Sequence, residues 1–172
     1  MVFAPLLAIV LTLSPVLSPG PIPSGMGPAE ADPRAHVLVV GGARLGENGA
    51  HAFGGVEGGW LPGLLGLSGT LLYGEGDGYT SFLAGAGPAL GHPLGPRLSA
   101  VLWGGGGWYR EGLGEGVARE LPVIVGGARL LVPTGPVRLS LGVIGLVGRH
   151  SSRTAPEPHG VRSLRLTLGV GR

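Results

Sequence analysis

The chain has no cysteine and no lysine: arginine supplies all twelve of its strong positive charges, and charged residues make up only 13% of its 172 residues. Without cysteine there is no disulfide framework and no thiolate metal site, which suits an exported protein as well as a cytosolic one. Aromatic residues are scarce at 5%. The arginines that gather toward the C-terminus (Arg149, Arg153, Arg162, Arg165 and Arg172) have no aromatic residues between them, and the net charge is only +2. Nucleic-acid binding is therefore poorly supported. Also missing, beyond the N-terminal segment, is any unbroken apolar run long enough for a membrane-spanning helix. Nor is there a G-x-G-x-x-G fingerprint, a P-loop or a G-x-S-x-G elbow, so no nucleotide cofactor is implied.

What the chain does have is apolar residues at 44%, a mean hydropathy of +0.39, 37 glycines and 16 prolines. So much glycine usually signals low complexity. Here the glycines sit inside apolar alternating runs such as VLVVGGARL and LSLGVIGLVG. They read as strand residues that remove bulk from a narrow interior.

Residues 3–17 are an apolar run of the length of a signal-peptide core, followed by a proline-rich leader. Ala29-Glu30-Ala31 is a small-x-small cleavage signal before Asp32, although the segment before the core has no Arg or Lys and the core ends well before Ala31. Pro5, Pro15 and Pro19 argue against a stable spanning helix. The expected organisation is a signal peptide and leader over 1–31 and one domain over 32–172.

From residue 36 onward the chain reads as eight alternating segments, about 36–45, 51–61, 65–74, 79–90, 98–110, 119–132, 137–149 and 161–171. Successive side chains of a strand point to opposite faces, so alternation sorts each segment into two sets. Leu65, Leu67, Leu71 and Tyr73 share one face of the third. Val137, Leu139, Leu141, Val143 and Val147 oppose Arg138, Ser140 and Gly142 in the seventh, with Ile144 and Leu146 between the two sets. Leu164, Leu166, Leu168 and Val170 oppose Arg165, Thr167, Gly169 and Gly171 in the last. A soluble barrel turns its apolar face inward. Here the other face carries Arg138 and Arg165, which cannot face lipid. The pattern is therefore inside-out, as in a spanning barrel. Closure follows, because a sheet edge cannot be satisfied in hydrocarbon. The predicted fold is all-β, a closed antiparallel up-and-down transmembrane barrel of about eight strands. A lumen of that size is filled by side chains.

The connections alternate between short and long. Pro62-Gly63, HPLGP at 92–96 and PTGP at 133–136 are the expected inner turns. GENG at 46–49, GEGDG at 74–78, 111–118 and 151–159 are the expected outer loops. Trp60 and Trp108 are the expected interfacial aromatics, whereas Trp103 has the opposite parity to Trp108.

With its alternating final strand LRLTLGVGR, its GGARL runs at 41–45 and 126–130, and the ladder over 36–172, the chain resembles the small eight-stranded outer-membrane β-barrel proteins of bacteria. The resemblance implies an outer-membrane location, with outer-membrane lipids and the assembly machinery as partners. Such proteins usually end in an aromatic residue that the assembly machinery reads. This sequence departs from that pattern and ends in Gly171-Arg172.

The candidate site is charge inside the barrel. Arg44, Glu57, Arg138 and Arg165 share inward parity. Arg129 reads as outward by strict alternation, and a bulge at Gly126-Gly127 would turn it inward. Buried charges need partners. The expectation is a lumen network of Arg44, Glu57, Arg129, Arg138 and Arg165, with Glu120 as a candidate second acid. Arg110, Arg149 and Arg153 are expected to meet lipid phosphates. The connections at 111–118 and 151–159 are expected to carry any extracellular contact.

The function these features point to is a non-enzymatic outer-membrane protein with a structural or surface-interaction role. One alternative is a lipid-modifying enzyme at the outer rim, which would draw a nucleophile from Ser81, Ser151 or Ser152 and a base from His51, His150 or His159. A second is a soluble ligand-binding barrel. Metal binding is weakly supported. The histidines at 36, 51, 92, 150 and 159 have no short spacing, and Glu75-Gly76-Asp77 offers too few ligands for calcium. No catalytic residue, metal or cofactor is assigned.

Overall fold

A computed structural model of the chain describes residues 35–46, 49–76, 78–113, 117–150 and 159–172. The expected signal peptide and leader lie outside the described residues. Eight strands follow one another: β1 Ala35–Gly46, β2 Gly49–Trp60, β3 Leu65–Gly76, β4 Tyr79–Gly95, β5 Leu98–Leu113, β6 Val117–Thr134, β7 Val137–His150 and β8 His159–Gly171. Each pairs antiparallel with the next, and β8 returns to β1, so the sheet is a closed up-and-down barrel.

Closure is achieved with a large stagger. Following cross-strand neighbours from Arg172 through Val37, Gly58, Gly69, Ala86, Gly106, Ile124 and Val147 leads back to β8 at Arg162, ten residues away. Stagger and strand tilt are linked in a barrel, and a tilt of roughly 35–45° is usual in spanning barrels.

Alternation holds on every strand. Along β8, Ser163, Arg165 and Thr167 are buried while Leu164, Leu166 and Leu168 are exposed. Most of the exposed large residues among the described ones are apolar. They include Leu67, Leu71, Leu102, Ile124, Leu139 and Leu141, and Trp60 and Trp108 also stand on the outer wall. Trp103 points inward, as its parity requires. On β7, Ile144 and Leu146 continue the inward set with Ser140.

β4 and β6 differ from the sequence reading. β4 runs on to Gly95, so His92 and Pro93 belong to a strand and the turn shrinks to residues 96–97. The strand survives a proline there because the β4–β5 register shifts between Pro93 and Gly95, an irregularity that tolerates the missing N–H. β6 carries no bulge at Gly126-Gly127. Its pairing runs unbroken on both sides, and Leu121, Val123, Val125, Arg129 and Leu131 are all buried. Arg129 thus faces inward by plain alternation with Val125 and Leu131.

The inward glycines let the strands close this tightly. A Cβ on Gly42 would lie 1.8 Å from the Leu166 carbonyl oxygen, and one on Gly171 would lie 1.8 Å from that of Val37. Both sit at the β1–β8 seam, where closure brings backbone against backbone.

Candidate functional site

Buried side chains occupy the described part of the lumen, and its charged groups fall into two clusters. The lower one lies toward the start of β1 and the end of β8. Arg129 Nη2 is 3.0 Å from Glu57 Oε2, and both side chains are almost fully enclosed. The same guanidinium donates through Nη1 to His36 Nε2 at 3.0 Å and through Nη2 to Ser68 Oγ at 3.4 Å. Ser68 in turn donates to the Gly58 carbonyl at 2.9 Å. Alternation along β1, β2, β3 and β6 delivers these four side chains to one level.

The upper cluster lies toward the loops. Arg44 Nη1 donates to Tyr109 OH at 2.9 Å and stands 3.8 Å from Glu111 Oε1. Tyr109 and Tyr79 share a hydroxyl–hydroxyl hydrogen bond, and His51 stacks on Tyr79 at 4.9 Å between ring centroids. Arg165 is 0% exposed. Its guanidinium lies over the rings of Phe53 and Tyr109, 5.4 and 5.8 Å from their centroids. A guanidinium is weakly hydrated and presents a flat face to an aromatic ring, so this seat suits arginine better than lysine. Arg44 and Arg165 are direct cross-strand neighbours. Glu111 and the tyrosine rings offset that like-charge contact. Between the two clusters, Val40, Leu72, Val125 and Ile144 fill the lumen.

The five residues expected to form one network are therefore divided. Glu57 and Arg129 belong to the lower cluster, Arg44 and Arg165 to the upper. Arg138 is only partly buried and donates to the Ala35 carbonyl at 3.0 Å, where it ties the end of the barrel rather than its interior. Glu120 is not the second acid. It points outward and pairs with Arg110 across the β5–β6 ladder at 3.5 Å. The second acid is Glu111, which the sequence reading left in a loop because it ended the fifth strand at 110. Extending the odd parity of Trp103 through Tyr109 would have found it. His36 escaped notice in the same way, although it shares the parity of Leu38 and Val40.

Of the expected lipid-phosphate arginines, Arg110 is on the outer wall. The Arg149 side chain and Arg153 lie outside the described residues, as do Ser151, Ser152 and the side chains of His150 and His159. Ser81 is buried and faces the upper lumen. Asp77 and most of the connections 111–118 and 151–159 are likewise outside the described residues.

An enclosed, side-chain-filled lumen is a poor conduit. Recordings from planar bilayers should show little or no steady conductance. Large stable single-channel steps would mean that the lumen opens.

No protein-family model matches the chain, and no curated protein matches it either. Its fold does match solved structures. Neisserial surface protein A superposes with a TM-score of 0.58 at 13% identity, over 80% of this chain and 94% of that one. Ail, the attachment invasion locus protein of Yersinia pestis, superposes with a TM-score of 0.49 at 15% identity, over 80% of this chain and 95% of that one. The first of these likenesses shows the same small-barrel fold. The apolar exterior sets this barrel across a bilayer, and barrels that cross bilayers in this inside-out manner are outer-membrane proteins.

Proposed function

We propose that the protein is a non-enzymatic resident of the bacterial outer membrane, a closed barrel that anchors and displays its loops. The observation that carries this reading is the lumen. Two arginine–glutamate clusters and an apolar layer occupy the space that a pore would need, while the binding surface left to the molecule is its outer wall and its loops. Residues 1–31 serve as the export leader, and the assembly machinery inserts the barrel. The connections at 111–118 and 151–159 carry contact with an extracellular partner. Arg110, with Arg149 and Arg153, bridges phosphates of surface lipids, since guanidinium pairs well with phosphate.

The topology is testable on whole cells. With both chain ends periplasmic, protease added outside should cut near Arg153 and spare the turn at 133–136. Cleavage at that turn with 151–159 intact would invert the orientation. The enzymatic alternative is tested in parallel. Purified protein should leave an acylated lipopolysaccharide substrate unchanged, and turnover lost on His150→Ala would replace the proposal.

A further inference from the structure

The outer wall carries a row of three glycines on neighbouring strands, two of which backbone approach does not require. Gly104, Gly126 and Gly145 are direct cross-strand neighbours on β5, β6 and β7, and Gly145 pairs in turn with Leu164 on β8. By parity all three glycines face out. They form the floor of a trough of about 730 Å³. The row above it is Gly106, Ile124, Val147 and Arg162, and the row below is Leu102, Ala128, Val143 and Leu166. Ile124, 74% exposed, and Val147 stand up as one wall. Because of the barrel's stagger, the trough rises obliquely from β5 toward the loop end at β8, where Arg162 sits.

The fold demands glycine at only one of the three floor positions: a Cβ on Gly126 would lie 2.9 Å from the Trp103 carbonyl oxygen, whereas at Gly145 it would meet nothing within 4 Å and at Gly104 only the Val125 carbonyl oxygen at 3.9 Å. The contrast is with Gly42 and Gly171, where backbone stands in the way. Glycine in a strand is costly and packs nothing, so its use here leaves room for another molecule. Arg162 lines the same trough and is exposed. None of the ion pairs among the described residues includes Arg162. An apolar channel with one unengaged guanidinium at its interfacial end matches an acyl chain joined to an anionic phosphate.

We infer that the trough over Gly104, Gly126 and Gly145 is a specific seat for one phosphate-bearing outer-leaflet lipid, its chain on the glycine floor and its headgroup on Arg162. A second trough of about 560 Å³, over Gly58, Gly69, Ala84 and Ala86, is lined by no charged residue and supplies an internal control.

The test is native mass spectrometry of the full-length protein released from nanodiscs containing phosphatidylglycerol and phosphatidylcholine with identical chains. The parent should retain phosphatidylglycerol in preference to phosphatidylcholine. Gly145→Leu, which fills the trough, should lose retained lipid. Arg162→Gln should lose the preference for the anionic headgroup, and Ala86→Leu, in the uncharged trough, should behave as the parent. Each variant is first checked for the mobility change on heating that marks a folded barrel, and Gly104→Leu replaces Gly145→Leu if the latter fails that check. Equal retention by the parent, Gly145→Leu and Arg162→Gln would overturn the assignment. So would a protein dimer that Gly145→Leu disrupts, since the trough would then seat a second copy of the chain.

Discussion

Replacing Glu57 by alanine is expected to lower the unfolding free energy in detergent or lipid by about 3–5 kcal/mol, the usual cost of removing one partner from a buried ion pair. Arg129 would remain enclosed, held only by His36 and Ser68. The loss is expected to come from the abandoned guanidinium rather than from any large net gain the pair supplies. Glu57→Leu combined with Arg129→Met should therefore recover most of the stability, because apolar replacement of both members of a buried pair is often neutral or stabilising. The control is Glu120→Ala. Its pair with Arg110 is on the exposed wall, where such pairs contribute about 0–1 kcal/mol. Urea titrations of the parent and the three variants decide the matter. Equal effects of Glu57→Ala and Glu120→Ala would remove the lower cluster from the account of stability.

The second large effect concerns the other face. Leu166 is exposed on the outer wall, one residue from the fully buried Arg165. Arginine at Leu166 is expected to cost about 2–4 kcal/mol near the bilayer midplane, the range for a basic residue placed in hydrocarbon on a spanning barrel. Leu141→Arg on the neighbouring strand should behave alike, since Leu141 and Leu168 are cross-strand partners on the same outer face. Thr167→Arg would instead crowd a filled lumen, and its effect should not depend on bilayer thickness. Refolding into vesicles of different chain lengths separates the two cases. An insensitivity of Leu166→Arg to the bilayer would mean that this face does not meet lipid.

Much of this architecture was legible because a spanning strand has so little freedom. Leu164, Leu166 and Leu168 against Arg165 and Thr167 admit one assignment of faces, since the arginine cannot face lipid. The same reasoning found the third and seventh strands and placed Trp60 and Trp108 outside and Trp103 inside. Strand ends were less legible. Pro93 looked like a turn residue but sits at a register shift within β4, and Glu111 looked like loop because its strand continues through Gly112 and Leu113.

The pairing of the lumen charges was not legible at all. Parity says that Arg44 and Arg165 point inward, but not at what height. Height depends on the ten-residue stagger accumulated around the barrel. That stagger sets Arg129 beside Glu57 and Arg44 beside Glu111, from strands far apart in sequence. The bulge invoked for Arg129 shows the same limit. Misjudging the parity of β6 by one residue flips every side chain, and Gly126-Gly127 offered a convenient place to repair an error the strand does not contain. The glycine trough was invisible for a related reason, because Gly104, Gly126 and Gly145 become neighbours only when β5, β6 and β7 are set in register.

The central claim is that one face of every strand meets lipid while the other fills a closed lumen. Single cysteines at Leu164, Arg165, Leu166, Thr167 and Leu168, placed one at a time in a chain that has none of its own, test it most directly. Membranes holding each variant would be treated with a lipid-soluble maleimide. The account predicts strong labelling at Leu164, Leu166 and Leu168 and little at Arg165 and Thr167. Uniform labelling along the five positions, or the opposite alternation, would contradict it.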